Sequence, residues 1–166
     1  DRKPPWRAPH MTEDCIFCAI VAGRAQAHTV YEDERILIFM DLFPAHDGHT
    51  LIIPKQHATD LFDARPEDLA AVMAQSKPLA VALERVFACD GIVVMQLNRE
   101  AAGQTVFHYH MHVIPRNEGE PFGIHGKRQA PAERLAEQAA RLREVFEPAR
   151  QADELQGRLD LRPPET

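Results

Sequence analysis

The sequence predicts an α+β fold in which an antiparallel sheet is packed by helices on one face. Three observations carry that expectation. Short apolar runs are joined by hairpin-sized connectors, helical periodicities fall unevenly between them with no repeated strand-helix-strand unit, and 166 residues make one domain with a sizeable core. Hydrophobic residues at 45% and charged residues at 27% are ordinary for a globular chain. With 19 Lys and Arg against 25 Asp and Glu, the formal charge of −6 argues against polymeric nucleic acid as a partner, and no apolar run is long enough to span a bilayer. Three cysteines with no secretory leader ahead of them suit a reducing, cytoplasmic compartment.

Residues 1–10 carry three prolines, the only Trp and a closing His10 before Met11, and read as a remnant of an expression vector. Ile16, Phe17, Ile20 and Val21 then recur at helical spacing before Gly23, which predicts a short helix capped by Asp14. Two apolar runs, 29–32 and 36–40, separated by Asp33, Glu34 and Arg35, predict a β-hairpin. Residues 49–54 form another strand, and Pro66 opens a long helix over 67–86. A strand at 92–96, a small polar loop at 98–104 and a strand at 106–115 follow. A charged amphipathic helix is expected over 131–146, and the tail from Arg150 should be weakly ordered or depend on a partner.

The strand at 106–115 holds the chemistry. His108, His110 and His112 alternate with Tyr109, Met111 and Val113, so on an extended chain three imidazoles project from one face while apolar side chains project from the other. Such a stripe suits either a metal site or nucleophilic catalysis by one imidazole whose neighbours set its tautomer and charge. Cys15 and Cys18, with two residues between them at a helix start, are compatible with a redox pair, a zinc half-site or two buried apolar residues. Cys89 stands apart and reads as a small buried apolar residue.

The run H-Y-H-M-H-V-I from His108 resembles the motif of the histidine triad (HIT) family, and the chain is similar to its bacterial, single-domain, Hint-like members. The likeness extends through C-I-F-C at Cys15, D-L-F-P at Asp41, H-T-L-I-I-P-K-Q-H beginning at His49, and A-G-Q-T-V before the triad. On that basis residues 11–125 would be the HIT domain and 126–166 a C-terminal helix and tail.

The resemblance implies a HIT-like fold assembled as a two-fold homodimer, and a hydrolase or transferase acting at the α-phosphate of a purine nucleoside monophosphate derivative, such as a phosphoramidate. His110 would attack phosphorus to give a nucleotidyl-histidine, His112 would contact phosphate and leaving group, and His49 would position and polarise the site. Asp41 would accept from the ribose hydroxyls, although an Asp before Leu42, Phe43 and Pro44 is also an ordinary turn residue. Ile16, Phe17, Ile20, Phe39 and Leu42 would clamp the base. Gly103, Gln104 and Thr105 would contact phosphate and leaving group, and Asn98 would lie beside the nucleotide. Cys15, Cys18, His57 and His108 would hold a structural zinc in a closed tetrahedral site. Two other functions remain open at this level. One is hydrolysis or phosphorolysis of dinucleoside polyphosphates, suggested by G-Q-T-V and Arg116; the other is a nucleotide-binding regulatory or interaction module with incidental turnover.

Overall fold

A computed structural model describes residues 13–150, so the segment read as a vector remnant and the tail beyond Arg150 lie outside the described residues. In chain order the elements are α1 (Ile16–Val21), β1 (Thr29–Glu32), β2 (Ile36–Met40), β3 (Thr50–Pro54), α2 (Pro66–Phe87), β4 (Gly91–Gln96), β5 (Met111–Arg116) and α3 (Ala132–Val145), with a 3-10 turn at Glu100–Ala102. The five strands form one antiparallel sheet in the order β1-β2-β3-β5-β4.

The hairpin forms where it is expected because Asp33 folds its carboxylate back onto the chain, accepting from the backbone N–H groups of Arg35 at 2.7 Å and Ile36 at 2.9 Å. Every residue of β2 and β3 is buried, which explains why both read as unbroken apolar runs. α2 begins on Pro66, carries Glu67 and Asp68 in its first turn, and ends where Ala88 turns left-handed at φ 49°.

The sheet separates two cores. On one face Ile36, Ile38, Met40, Ile52, Met111 and Val113 meet Val72, Leu79 and Leu83 of α2 and Leu135, Ala139 and Leu142 of α3. On the other, Leu37, Phe39, Leu51 and Ile53 meet Phe17 of α1. Only α2 and α3 therefore share a face; α1 closes the opposite one, correcting the expectation of helices on one side. The unbroken apolar runs of β2 and β3 indicate that both sheet faces are buried, but not which helix covers each. α3 belongs to the same core as α2, so the helix after residue 125 is integral to the packed unit.

Two local expectations also change. The cap of α1 is Cys15, not Asp14: its sulfur accepts from the backbone N–H of Cys18 at 3.4 Å, while Asp14 stays exposed. Regular pairing of the histidine strand starts only at Met111, so His108 and His110 precede β5 rather than lie within it. The alternation persists nonetheless. Tyr109 N–H donates to the Ala58 carbonyl at 2.7 Å, and Tyr109, Met111 and Val113 all enter the core shared with α2, which turns the three imidazoles to the other face. Among the described residues, no helix is long and apolar enough to cross a membrane.

Candidate active site and metal cluster

A cavity of about 420 Å³ opens on the α1 face of the sheet. One end is apolar, walled by Ile16, Phe17 and Ile20 of α1, Phe39 of β2, and Leu42 and Phe43 of the loop after it. The other end presents Thr105, His110, His112 and His125, with Asp41 along the lining. This gradient from aromatic and aliphatic wall to hydrogen-bonding groups suits a ligand with a flat apolar part and a charged end.

Backbone groups determine which ring nitrogens carry protons. The Ala45 N–H donates to His49 Nδ1 at 2.9 Å, so that nitrogen holds a lone pair and the proton resides on Nε2. His49 Nε2 lies 2.9 Å from His112 Nδ1 and donates to it, with Asp41 Oδ2 at 3.3 Å from the same donor. His112 must then carry its own proton on Nε2, and that atom is buried without a partner among the described residues. A ring at the cavity wall thus retains one uncommitted N–H donor.

His110 is set the opposite way. Its Nδ1–H donates to the His108 carbonyl at 2.6 Å, leaving the Nε2 lone pair for chemistry. Phe17 meets its ring edge-on at 5.3 Å between centroids, and the His112 ring stands 4.9 Å away. Burial keeps all three rings neutral. It drives His49 down to about 4 against the pull of Asp41, lowers His110, and drives His112 down to about 2 with help from the neighbouring His110 and His49 rings.

A second cluster lies behind His110. His108 donates Nε2–H to the Pro54 carbonyl at 2.8 Å, which leaves Nδ1 turned toward sulfur. That Nδ1 is 3.5 Å from Cys15 Sγ, 3.6 Å from Cys18 Sγ and 3.3 Å from His57 Nδ1, and His57 Nδ1 is 3.2 Å from Cys18 Sγ. The four ligand atoms lie within 4.8 Å of one another. Two thiol sulfurs and two imidazole nitrogens, one pre-set by a carbonyl, are the donor set and spacing that a tetrahedral zinc requires.

The remaining residues named from sequence divide. Thr105 lines the cavity, and Asp41 does so while its Oδ1 accepts from Phe43 N–H at 2.8 Å, so the turn role and the site role coexist. Gln104 does not line it: its carbonyl accepts from Arg99 N–H at 2.6 Å and its amide donates to Thr59 and Val106 carbonyls, which braces the loop. Asn98 is likewise away from the cavity, accepting from Leu61 N–H at 2.7 Å and donating to Gln96 at 2.6 Å. Gly103 sits at φ +92°, so its requirement for glycine comes from the left-handed backbone that turns the chain toward the triad. Arg116, the cue for polyphosphate chemistry, donates to the Gly123 and Pro121 carbonyls and lies over Phe122, away from the cavity lining.

His125 was missed by sequence reasoning. Its ring meets His112 edge-on at 5.6 Å, yet it follows a stretch without periodicity, where no local pattern indicates proximity to the triad.

The pattern of the HIT domain family matches residues 22–119 of the chain. The protein Hit of Bacillus subtilis is 41% identical over 122 residues, covering 73% of this chain and 84% of that protein. Among solved structures, a zinc-bound histidine triad family protein from Mycobacterium smegmatis matches with a TM-score of 0.71 at 36% identity, over 87% of this chain and 97% of that one. A hypothetical histidine triad nucleotide-binding protein from Sulfolobus tokodaii matches at 0.73 with 27% identity, over 89% and 99% of the two chains.

Proposed function

The chain belongs to the HIT domain family, and from that premise we propose that it is a nucleotide hydrolase or transferase acting through His110 on the α-phosphate of a purine nucleoside monophosphate derivative. The observation that carries the reading is the pair of opposed tautomers: a bare Nε2 on His110 beside an N–H donor on His112, both in the lining of one cavity. The likeness to the hypothetical nucleotide-binding protein of Sulfolobus tokodaii supports the ligand class. Base and ribose occupy the apolar end, between Phe17, Phe39 and Leu42 and within reach of Asp41.

In the first step the His110 Nε2 lone pair forms the N–P bond while the bond from phosphorus to the leaving group breaks. The leaving group departs with the bonding pair and a proton from solvent. The His108 carbonyl, accepting from Nδ1–H, steadies the positive charge that the substituted ring acquires. His112 Nε2–H and the Thr105 hydroxyl donate to oxygens on which charge develops. Water then attacks the same phosphorus, freeing His110 and releasing the nucleoside monophosphate and a proton.

Cys15, Cys18, His57 and His108 hold zinc in this reading, supported by their clustering and by the zinc-bound Mycobacterium smegmatis relative. Bound there, the ion would supply a structural tie between α1 and the chain that carries the triad. The working unit runs from this cysteine pair through α3 and pairs with a second copy about a two-fold axis.

Rapid quench of the protein with adenosine 5′-phosphoramidate, followed by peptide mass analysis, tests the reading. It expects a nucleotidyl adduct on the peptide bearing His110 that forms and decays at the turnover rate. Turnover without an adduct on that peptide excludes it.

A further inference from the structure

We infer that His125 is a specificity-determining residue that contacts the leaving group and favours one carrying an oxyanion, whether phosphate or carboxylate; this deepens the reading of the same site given above. Three imidazoles step across the cavity, with centroids 4.9 Å apart from His110 to His112 and 5.6 Å from His112 to His125. A group displaced by His110 departs on the side of phosphorus away from that ring, and His125, which shares the cavity lining and meets the His112 ring edge-on, is placed to contact it.

Charge points the same way. Among the described residues no Lys or Arg lines the cavity, and the one charged residue in its lining is the acidic Asp41. His110 and His112 are buried, whereas His125 is exposed, so its ring can offer an N–H donor to an entering group while staying in contact with solvent. An anion entering from solvent therefore has His125 as its imidazole partner at the mouth.

His125 is also held in place. Gly126 N–H donates to the Phe43 carbonyl at 2.9 Å and Ala130 N–H to the Leu42 carbonyl at 2.9 Å, so the segment is laced to the loop that follows β2. A Cβ at Gly126 would run into the Pro44 carbonyl oxygen, a contact that only glycine avoids. The backbone approach that fixes His125 thus depends on the residue next to it.

Calorimetric binding to His110→Ala protein, in which the proposed nucleophile is absent, tests the assignment. Three adenosine 5′-phosphoramidates are compared, carrying glycine, aminomethylphosphonate or glycinamide on the same P–N bond. The two anionic conjugates should bind about tenfold tighter than the neutral one, a ratio that should collapse toward unity in His110→Ala/His125→Ala and return in His110→Ala/His125→Lys. Preference for only one anionic conjugate supports the inference and identifies which oxyanion is recognised. Equal affinities for all three, or a preference that survives loss of His125, overturn the inference. Turnover of the same conjugates by the unmodified protein reports separately on the nucleophile, so either reading can fail alone.

Discussion

His49 Nε2 stands 2.9 Å from His112 Nδ1 while the opposite nitrogen of His49 accepts from Ala45 N–H, so one peptide group fixes the tautomer of a ring on another strand. His49 is fully buried and does not line the cavity, which makes it a positioning residue acting through His112. His49→Ala should lower kcat by roughly ten- to a hundredfold with little change in KM, because the donor that His112 directs at developing charge is no longer held. His49→Gln, whose amide can still donate to His112 Nδ1, should recover part of the loss. Nitrogen NMR of His112 should show the Nε2–H form in the parent and a tautomer mixture in His49→Ala; an unchanged kcat in that variant would refute the relay.

Zinc should be present at about one equivalent per chain in protein purified without chelator, and Cys15→Ala/Cys18→Ala should lose it. The cluster joins α1 to the chain ahead of β5, so the variant should lose thermal stability by more than it loses nucleotide affinity. Metal analysis of fresh, reduced protein that finds no zinc rejects the assignment.

Acid should destabilise the fold through the same buried rings. Folded His49 is held near 4 and folded His112 near 2 by burial, against about 6.5 for a solvated imidazole. Below about pH 6.5 the unfolded chain takes up protons that the folded chain refuses, so stability is complete above that value and falls as pH decreases. Each ring contributes a slope of up to about 1.4 kcal/mol per pH unit until its folded value is reached. Denaturant midpoints measured with saturating zinc from about pH 7 to about pH 5 should fall, and His49→Gln/His112→Gln should flatten the decline. A slope that the double variant leaves unchanged would place the effect elsewhere.

What was legible in the sequence was what depends on local pattern. The hairpin has the expected bounds, and α2 extends by one residue beyond each expected end, because Asp33, Pro66 and the apolar periodicities act within a few residues of themselves. The histidine alternation was correct about faces even though pairing begins later, since Tyr109 is anchored by Ala58 rather than by a neighbouring strand. The side of the sheet that α1 covers was not legible, because Phe17 finds its partners Leu37 and Leu51 across distant turns. The direction of a polar side chain was equally hidden: Gln104 and Asn98 sit in a loop where nearby backbone groups consume their hydrogen bonds. His125 reaches the cavity through the contact of Gly126 with Phe43, a pairing of residues far apart in sequence with no periodic signature.

Assembly gives a further outcome. β4 is an outer strand of the sheet, with Val94 exposed, and α2 leaves Met73 and Val81 exposed to solvent. An open edge beside apolar side chains is a template for pairing, and a two-fold dimer through this edge and α2 would cover it. Light scattering should give a dimer mass across micromolar dilution, and Val94→Lys should shift it toward the monomer. A monomeric mass for the parent protein throughout would refute the dimer.

The last prediction isolates the nucleophile. His110 neither belongs to the metal cluster nor forms the apolar wall for the base, so His110→Ala should retain fold, zinc and nucleotide binding while losing turnover by orders of magnitude. Removing a ring that packs against Phe17 at 5.3 Å will lower stability somewhat, which makes His110→Asn a useful companion because it keeps more of the volume without a nucleophilic nitrogen. His108→Ala should fail in a different order, with metal and stability lost first, since its Nδ1 faces the two cysteines and its Nε2 is tied to Pro54. His112→Ala keeps the His110 lone pair but removes the adjacent N–H donor, and should slow turnover by about a hundredfold without abolishing the covalent adduct. The three variants thus separate holding the metal, attacking phosphorus and stabilising developing charge along one stretch of chain. Near-normal turnover by folded His110→Ala protein would rule out the covalent route, whatever the other two variants do.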